Sequence, residues 1–177
     1  MKTKNMVISA LLCALGIVIP MFFPKIVLPP ASFTLASHVP IFIAMMLSPS
    51  IAVTVAIGTT FGFLLSGLPI IVVLRAFTHV LFATIGAIWY KNHKPLKTPA
   101  LILWALVVSV IHGLGEFVVV TAFYFGGNIQ EGYYSNGYFI SVVLLVLLGT
   151  IVHSMVDFAI SYAVCKALKI IPKEVIA

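Results

Sequence analysis

Long apolar stretches, interrupted only by prolines, glycines and short basic clusters, restrict what this chain can fold into. Of its 177 residues, 62% are hydrophobic and 8% are charged, far fewer charges than a soluble domain carries. A helix needs about 20 apolar residues to cross a bilayer. The sequence therefore predicts an all-α integral membrane protein, a bundle of about six transmembrane helices that forms one membrane-embedded substrate-binding domain over residues 1–177. The spans are expected near residues 6–23, 36–48, 50–66, 69–90, 98–126 and 138–168.

The second and third spans are the hardest to separate. Only Ser48-Pro49-Ser50 interrupts the run from Val39 to Leu65, yet one helix of that length would overshoot a bilayer about 30 Å thick. We therefore expect a tight turn at Pro49. The first apolar run follows two lysines, as in a secretory signal peptide, but its small residues lie in its middle and not at a cleavage site, so we interpret it as a retained helix.

The lysines indicate how the bundle is oriented. An even number of spans puts both termini and the basic clusters on one side, while Lys25 stands alone on the other side. By the positive-inside rule, both termini are expected in the cytoplasm. The formal charge of +6 then reflects contact with membrane lipid, and we expect no nucleic-acid partner. The lysines assigned to the cytoplasmic side are Lys2, Lys4, Lys91, Lys94, Lys97, Lys166, Lys169 and Lys173.

Charged and histidine side chains inside the spans need an explanation, because a charge in hydrocarbon costs at least about 2.5–3.5 kcal/mol. At about 1.5 Å per residue, Arg75, His112 and His153 lie at a similar depth, about 21–23 Å from the inner surface. Two spans carry a histidine followed four residues later by an acid, a spacing that puts both groups on one helix face. The candidates are Arg75, His79, His112, Glu116, His153 and Asp157.

This polar layer has two interpretations. In the first, Arg75 pairs with Glu116 and His153 pairs with Asp157, and the polar groups of the network serve only as one another's hydrogen-bond partners inside the bundle. In the second, Arg75 binds an anionic ligand from outside, because a guanidinium is a planar fork suited to a carboxylate. A metal site on the histidine and acid pairs is disfavoured, since no HExxH or cysteine cluster supports it and an adjacent arginine repels a cation. We expect no catalytic residue, no cofactor and no resident metal.

The first span contains a small-xxx-small pattern, Ala10-Leu-Leu-Cys-Ala14, which lets another helix approach closely in a membrane. With about six spans, cytoplasmic termini and polar residues concentrated in spans four to six, the whole chain resembles the substrate-binding S components of energy-coupling factor (ECF) vitamin transporters. The resemblance implies that Ala10 and Ala14 dock against a transmembrane coupling subunit attached to two ATPase subunits, in a bacterial cell membrane. The lack of a GxxxxGK[ST] loop fits this role. Alternatively, the small residues pack the first helix against its own bundle.

The resemblance also implies a pocket that opens to the outside and is covered by outer loops, with the loop around Pro29-Pro30 as a lid. An arginine near the outer face favours a small carboxylate vitamin, with pantothenate slightly ahead of nicotinate (niacin), over cationic thiamine. Tyrosines and amides would supply stacking and hydrogen bonds. The substrate-binding residues implied by region are Arg75, His79, His112, Glu116, Asn128, Tyr133, Tyr134 and Asn136.

Two other classes of membrane protein can use the same buried groups. An intramembrane hydrolase would employ them as acid, base or metal ligands, but no Gly-x-Ser-x-Gly or paired-aspartate signature is present. A stand-alone proton-coupled carrier would relay protons through His112, Glu116 and Asp157, but the sequence lacks two halves with matching interrupted helices. A vitamin-binding subunit, and not an enzyme, is the leading prediction.

Overall fold

The computed structural model describes residues 2–94, 96–127 and 132–170. Lys173 and Asn128 lie outside these residues. A π-helical segment, Phe139–Leu148, runs directly into the last helix. The other elements are α1 (Thr3–Phe22), β1 (Lys25–Leu28), β2 (Ala31–Thr34), α2 (Val39–Leu47), α3 (Pro49–Leu65), α4 (Ile70–His93), α5 (Thr98–Gly126) and α6 (Gly149–Ala167).

The predicted all-α membrane bundle is confirmed, but not every helix is a full span. Within the described chain, four helices are long and apolar enough to cross a membrane, namely α1, α4, α5 and the continuous Phe139–Ala167. α3 is apolar with 17 residues. α2 has 9 residues, about 14 Å of helix, because the residues up to His38 are not helical. The second expected span, 36–48, is thus a half-length helix, and a six-span topology with cytoplasmic termini stays a prediction.

The turn expected at Pro49 is confirmed. α2 ends at Leu47 and α3 begins at Pro49, with Ser48 extended between them. The Ser48 hydroxyl accepts a hydrogen bond from the backbone N–H of Ile51 and so caps α3, and proline is favourable at the first helical position because it has no N–H to leave unpaired. The chain therefore reverses within a single residue.

A β-hairpin occupies the outer segment in which the sequence analysis expected only a loop. β1 and β2 pair antiparallel, with Leu28 opposite Ala31, so that Pro29 and Pro30 make the turn. Leu28, the last residue of β1, is extended because a proline disfavours helix at the residue before it. β1 is exposed along its length, whereas Ala31 and Thr34 of β2 are buried. The hairpin thus lays its second strand over the bundle.

The inner half of the bundle is a closed apolar core. Every residue from Val39 to Met46 of α2 is buried, and the Phe42 ring packs against Phe82, Trp104 and Phe158. The indole N–H of Trp104 donates to a backbone carbonyl of α4 at 3.0 Å, which satisfies its buried polar group. α2 therefore fills this half of the bundle with buried apolar side chains.

α1 and α3 approach closely through glycine. A Cβ atom on Gly58 would lie 2.5 Å from the Cys13 sulfur, and one on Gly62 would lie 2.2 Å from Ile17 Cδ1. Small residues at such a crossing allow backbone contact in a membrane, where apolar burial adds little between helices. α1 is therefore held against its bundle by a face that does not include Ala10 and Ala14.

Candidate functional site

A cavity of about 250 Å³ lies between the hairpin and the outer halves of the helices. Its walls come from α1, both strands of the hairpin, the segment before α2, and helices α2 to α6, so distant parts of the chain meet there. The lining is mixed, with aromatic and aliphatic walls and a small number of polar groups, as is usual for small-molecule sites. The polar and aromatic residues that line it include Lys25, Ser32, Phe33, Thr34, Ser37, His38, Arg75, His79, Glu116, Thr150 and His153.

Arg75 and Glu116 form an ion pair at one wall of the cavity. Arg75 Nη2 of α4 lies 2.8 Å from Glu116 Oε2 of α5, and the same oxygen accepts a 2.8 Å hydrogen bond from the Thr150 hydroxyl of α6. Arg75 Nη1 also donates to the Pro30 carbonyl oxygen in the hairpin turn at 3.4 Å. The Arg75–Glu116 pairing considered in the first interpretation is therefore present, and it links the hairpin turn to three helices.

This ion pair leaves part of the guanidinium unused. Arg75 Nε is buried and has no hydrogen-bond partner in the described part of the chain. A guanidinium offers five N–H donors, and a buried donor without a partner costs free energy. Arg75 thus retains capacity for a further acceptor at the cavity wall.

His79 and His112 lie on the other side of Glu116. Their Nε2 atoms are 3.8 and 3.4 Å from Glu116 Oε1, too far or too poorly aligned for hydrogen bonds, and neither has a partner among the described residues. His112 Nδ1 lies 2.8 Å from the Ser154 hydroxyl. His79 lines the cavity, whereas His112 is fully buried behind it.

Asp157 holds the start of α2. Its carboxylate accepts hydrogen bonds from the backbone N–H groups of Ala36 and His38, both at 2.8 Å. His38 Nδ1 lies 3.1 Å and His153 Nε2 lies 3.3 Å from Asp157 Oδ2. Ala36 has a φ of 67°, a left-handed conformation that is unfavourable for alanine. Asp157 therefore stabilises a strained, non-helical backbone, and the buried N–H groups of such a backbone need a partner from the protein.

Three histidine rings, those of His79, His112 and His153, surround the ring of His38. The ring centroid of His38 is 5.1 Å from that of His79, 4.6 Å from that of His112 and 5.1 Å from that of His153. The His79 and His112 centroids are 4.7 Å apart. We call these four residues the histidine cluster. The expected polar layer is thus present, with His38 as its centre.

The structure brings some of the expected site residues together and leaves others apart. Arg75, His79 and Glu116 line the cavity, and His112 contacts them from behind. Residues 132–138 contribute no side chain to the cavity in the part of the chain that is described. Asn128 lies outside the described residues. Tyr133 and Tyr134 are half-buried and Asn136 is exposed, so a role in binding stays a prediction for all four.

Tyr134 packs into the outer end of the bundle. Its ring lies 5.0 Å from that of Tyr124, within a cluster built on Val120 and Val142. Burial raises the pKa of the Tyr134 hydroxyl, so this group is a neutral donor at physiological pH. Its role in the structure is to close the outer ends of α5 and the π-helical segment.

Sequence analysis missed His38, Thr150 and Ser154 as members of the polar network. His38 lies at the edge of an expected span, where a polar residue is not unusual. Serines and threonines are common in membrane helices. The adjacent pair Ser37-His38 between two apolar segments was the available signal for the first of them.

Ala10 and Ala14 lie on the exposed side of α1. Leu11 and Val18, which share this side, are 61% and 44% exposed. The small residues therefore do not pack α1 against its own bundle, and the alternative interpretation of the motif is not supported. A flat face of this kind is open to a neighbouring helix.

Comparison with known proteins gives one relative of high similarity. The niacin transporter NiaX of Lactococcus lactis subsp. cremoris (strain MG1363) is 42% identical over 166 residues, which cover 89% of this chain and 71% of that protein. No family model and no solved structure matches the chain.

Proposed function

Since this chain belongs to the family of the niacin transporter NiaX, the ECF S components, we propose that it binds nicotinate from outside the cell and passes it inward with ECF partners. The members of this family are multi-pass membrane transport proteins and not enzymes. The intramembrane hydrolase alternative is therefore excluded. The slight preference for pantothenate finds no support, because the relative is a niacin transporter.

Arg75 is the observation that carries the choice of ligand. It is the sole arginine in the sequence, it lines the cavity, and its Nε has no partner in the described chain. A carboxylate placed there would add charge-assisted hydrogen bonds to a group already buried. Glu116 occupies one of the three guanidinium nitrogens, so the guanidinium keeps a donor for a second acceptor.

The size and walls of the cavity suit a single aromatic ring. Pockets for drug-sized ligands measure about 300–1,000 Å³, and this one is smaller, at about 250 Å³. Phe33 of β2 lines it from the lid side, and the imidazoles of His38 and His79 line it from the bundle. A pyridine ring can pack against these rings by its face or edge, with its carboxylate directed at Arg75.

Titration calorimetry of the purified chain in detergent tests the ligand directly. Nicotinate carries a carboxylate where nicotinamide carries a neutral amide, and the two are otherwise the same. The difference in their affinities therefore measures what Arg75 contributes by binding the carboxylate. We expect 1:1 binding of nicotinate, about 10- to 150-fold tighter than nicotinamide, because a hydrogen bond to a charged group contributes about 1.5–3 kcal/mol. Pantothenate and thiamine are the further comparisons. Tighter binding of pantothenate than of nicotinate would overturn the assignment.

Variants of Arg75 need a matched control, because removal of this side chain alone leaves Glu116 buried and unpaired. The double variant Arg75→Met with Glu116→Gln removes both charges and keeps the volume similar. We expect it to remain folded and to lose nicotinate binding. His93→Gln, at an exposed position at the end of α4, serves as the control, and Asn136→Ala separately tests the role implied for Asn136. Unchanged nicotinate affinity in the folded double variant would exclude Arg75 as the anchor.

We further propose that the exposed face around Ala10 and Ala14 binds the transmembrane ECF subunit, which two ATPases energise in the bacterial cell membrane. Ala14→Leu adds bulk to this face without contact to the cavity. Transport by the assembled complex is expected to fall at least about tenfold, while nicotinate affinity of the purified chain stays unchanged. Val118→Leu, on an exposed face of α5, is the control for added bulk. Full transport by Ala14→Leu would contradict the docking role.

A further inference from the structure

We propose that His38, His79 and His112 form a binding site for a divalent transition-metal ion of the zinc, cobalt and nickel class. One ligand nitrogen from each of the three rings lies within 4.8 Å of the others. The rings come from three elements, the start of α2, α4 and α5, so they surround a common point and do not follow a single helix. Neutral imidazoles suit zinc, cobalt, nickel and copper ions, and they do not suit magnesium or calcium.

Hydrogen bonds to the other ring nitrogens prepare two of the three histidines as ligands. His38 Nδ1 faces Asp157 at 3.1 Å, and an ionised carboxylate only accepts, so the proton of the ring lies on Nδ1. His112 Nδ1 lies 2.8 Å from the Ser154 hydroxyl. In His38 this leaves Nε2 free to coordinate, and in His112 the Ser154 hydroxyl can accept the Nδ1 proton, so that Nε2 coordinates there as well. Metal-binding histidines commonly have this arrangement, in which a second group fixes the ring and its tautomer.

Unused buried nitrogens are the independent sign of a ligand. His79 Nε2 and His112 Nε2 are buried and have no hydrogen-bond partner in the described chain, and His112 is only 1% exposed. Buried polar atoms of this kind are rare in folded proteins, because each loses its hydration without compensation. Coordination of one ion would satisfy both atoms together.

A second set of possible ligands, His38, His153 and Asp157, fits a metal less well. These atoms also lie within 4.8 Å of one another, but Asp157 already accepts two backbone N–H groups at 2.8 Å. His153 Nε2 lies 3.0 Å from the Ser37 hydroxyl. Coordination there would have to break bonds that hold the start of α2, whereas coordination by the first set breaks none.

The nearby charges permit a cation. The objection from sequence was that an arginine would repel it, but Arg75 is paired with Glu116 at 2.8 Å. Glu116 Oε1 lies 3.4 Å from His112 Nε2 and faces the same nitrogens, so a carboxylate stands beside the ion. Asp157 adds a second negative charge behind His38, while Lys25 lines the cavity from an exposed position. The proposal therefore departs from the expectation of no resident metal because of His38.

Cobalt titration of the purified full chain tests the site without any vitamin present. The protein is treated with chelator, carries an affinity tag that lacks histidine, and is titrated with Co²⁺ by visible absorbance and with Zn²⁺ by calorimetry. We expect one ion per chain and an absorption band typical of Co²⁺ bound by nitrogen. His79→Gln and His112→Gln should each weaken binding at least tenfold. His93→Gln is the control, since His93 is exposed at the end of α4 and stacks on Trp89.

The fold of each variant is checked by its thermal transition, and His79→Gln, at the cavity wall, keeps the test valid if His112→Gln does not fold. Absence of stoichiometric binding by the native chain, or equal affinity in His79→Gln and His93→Gln, would overturn the proposal. Because the titration contains no nicotinate, either result is independent of vitamin binding.

Discussion

Glu116 and Asp157 occupy equivalent positions in two helices, each buried and each four residues after a histidine, yet they bind different kinds of groups. Glu116 contacts side chains, with Arg75 and Thr150 both at 2.8 Å. Asp157 accepts two backbone N–H groups just before α2, also at 2.8 Å. One carboxylate faces the cavity, and the other holds the chain that shapes it.

The difference shows that the histidine and acid spacing alone does not determine a role. In a helix this spacing only places two side chains on one face. The role depends on the third group, which is a guanidinium in one case and a strained backbone segment in the other. We therefore expect substitution of Asp157 to act on folding and substitution of Glu116 to act on ligand binding.

The largest effect is expected from Asp157→Ala. It leaves the N–H groups of Ala36 and His38 buried without an acceptor, and each unsatisfied donor costs about 1–3 kcal/mol. The free energy of unfolding in detergent should fall by about 3 kcal/mol or more, measured by denaturant or thermal unfolding. Asp157→Asn keeps one carbonyl oxygen as acceptor and should fall between this variant and the native chain. Native-like stability of Asp157→Ala would remove the distinction between the two acids.

A smaller effect is expected from Glu116→Gln, as a gain in ligand affinity and not mainly as a loss of stability. The substitution frees Arg75 from its partner and removes a negative charge that would face the carboxylate of nicotinate. Nicotinate affinity should therefore rise about tenfold, equal to about 1.4 kcal/mol, at some cost in stability because Arg75 loses its ion pair. Calorimetry at fixed pH measures the affinity, and Asp157→Asn is the comparison. A loss of affinity in Glu116→Gln would mean that Glu116 itself positions the ligand.

The smallest effect is expected from Gly149→Ala, which perturbs Phe33 of the hairpin and leaves Glu116 and Asp157 unchanged. A Cβ atom at Gly149 would lie 2.6 Å from Phe33 Cζ, so the Phe33 ring must shift. Nicotinate should dissociate about threefold faster, with little change in thermal stability, as measured by stopped-flow competition. Gly126→Ala is the matched control, because no atom lies within 4 Å of its added Cβ. Equal dissociation rates in both variants would show that Phe33 does not retain the ligand.

Sequence alone predicted the parts of this molecule that depend on hydrophobicity. The long spans follow from apolar length, and Arg75, His79 and Glu116 were found because a polar group inside an apolar run is conspicuous. The hairpin was missed, although β-branched residues flank Pro29-Pro30, since short strands are weak signals in a membrane chain. The position of Tyr134 could not be predicted, because loop conformation does not follow from spacing.

The length of α2 was also beyond sequence reasoning. An apolar run of a dozen residues has the same composition whether its first residues are helical or extended. α2 begins at Val39 because Pro40 is tolerated only in the first turn of a helix, and because Asp157, 119 residues away from His38, accepts N–H groups that a longer helix would have used. A tertiary contact of this kind leaves no local pattern.

The short α2 has a consequence for how the chain is inserted during synthesis. The insertion machinery recognises segments of about 20 apolar residues, so nine residues are not enough to enter the bilayer alone, and α2 is expected to enter as a pair with α3. The backbone N–H groups of Ala36 and His38, just before α2, have no acceptor until Asp157 is synthesised. Asp157 follows His38 by 119 residues, a delay on the order of ten seconds at about 5–20 residues per second. The segment before α2 is therefore expected to settle into the bundle last, after α6 has arrived.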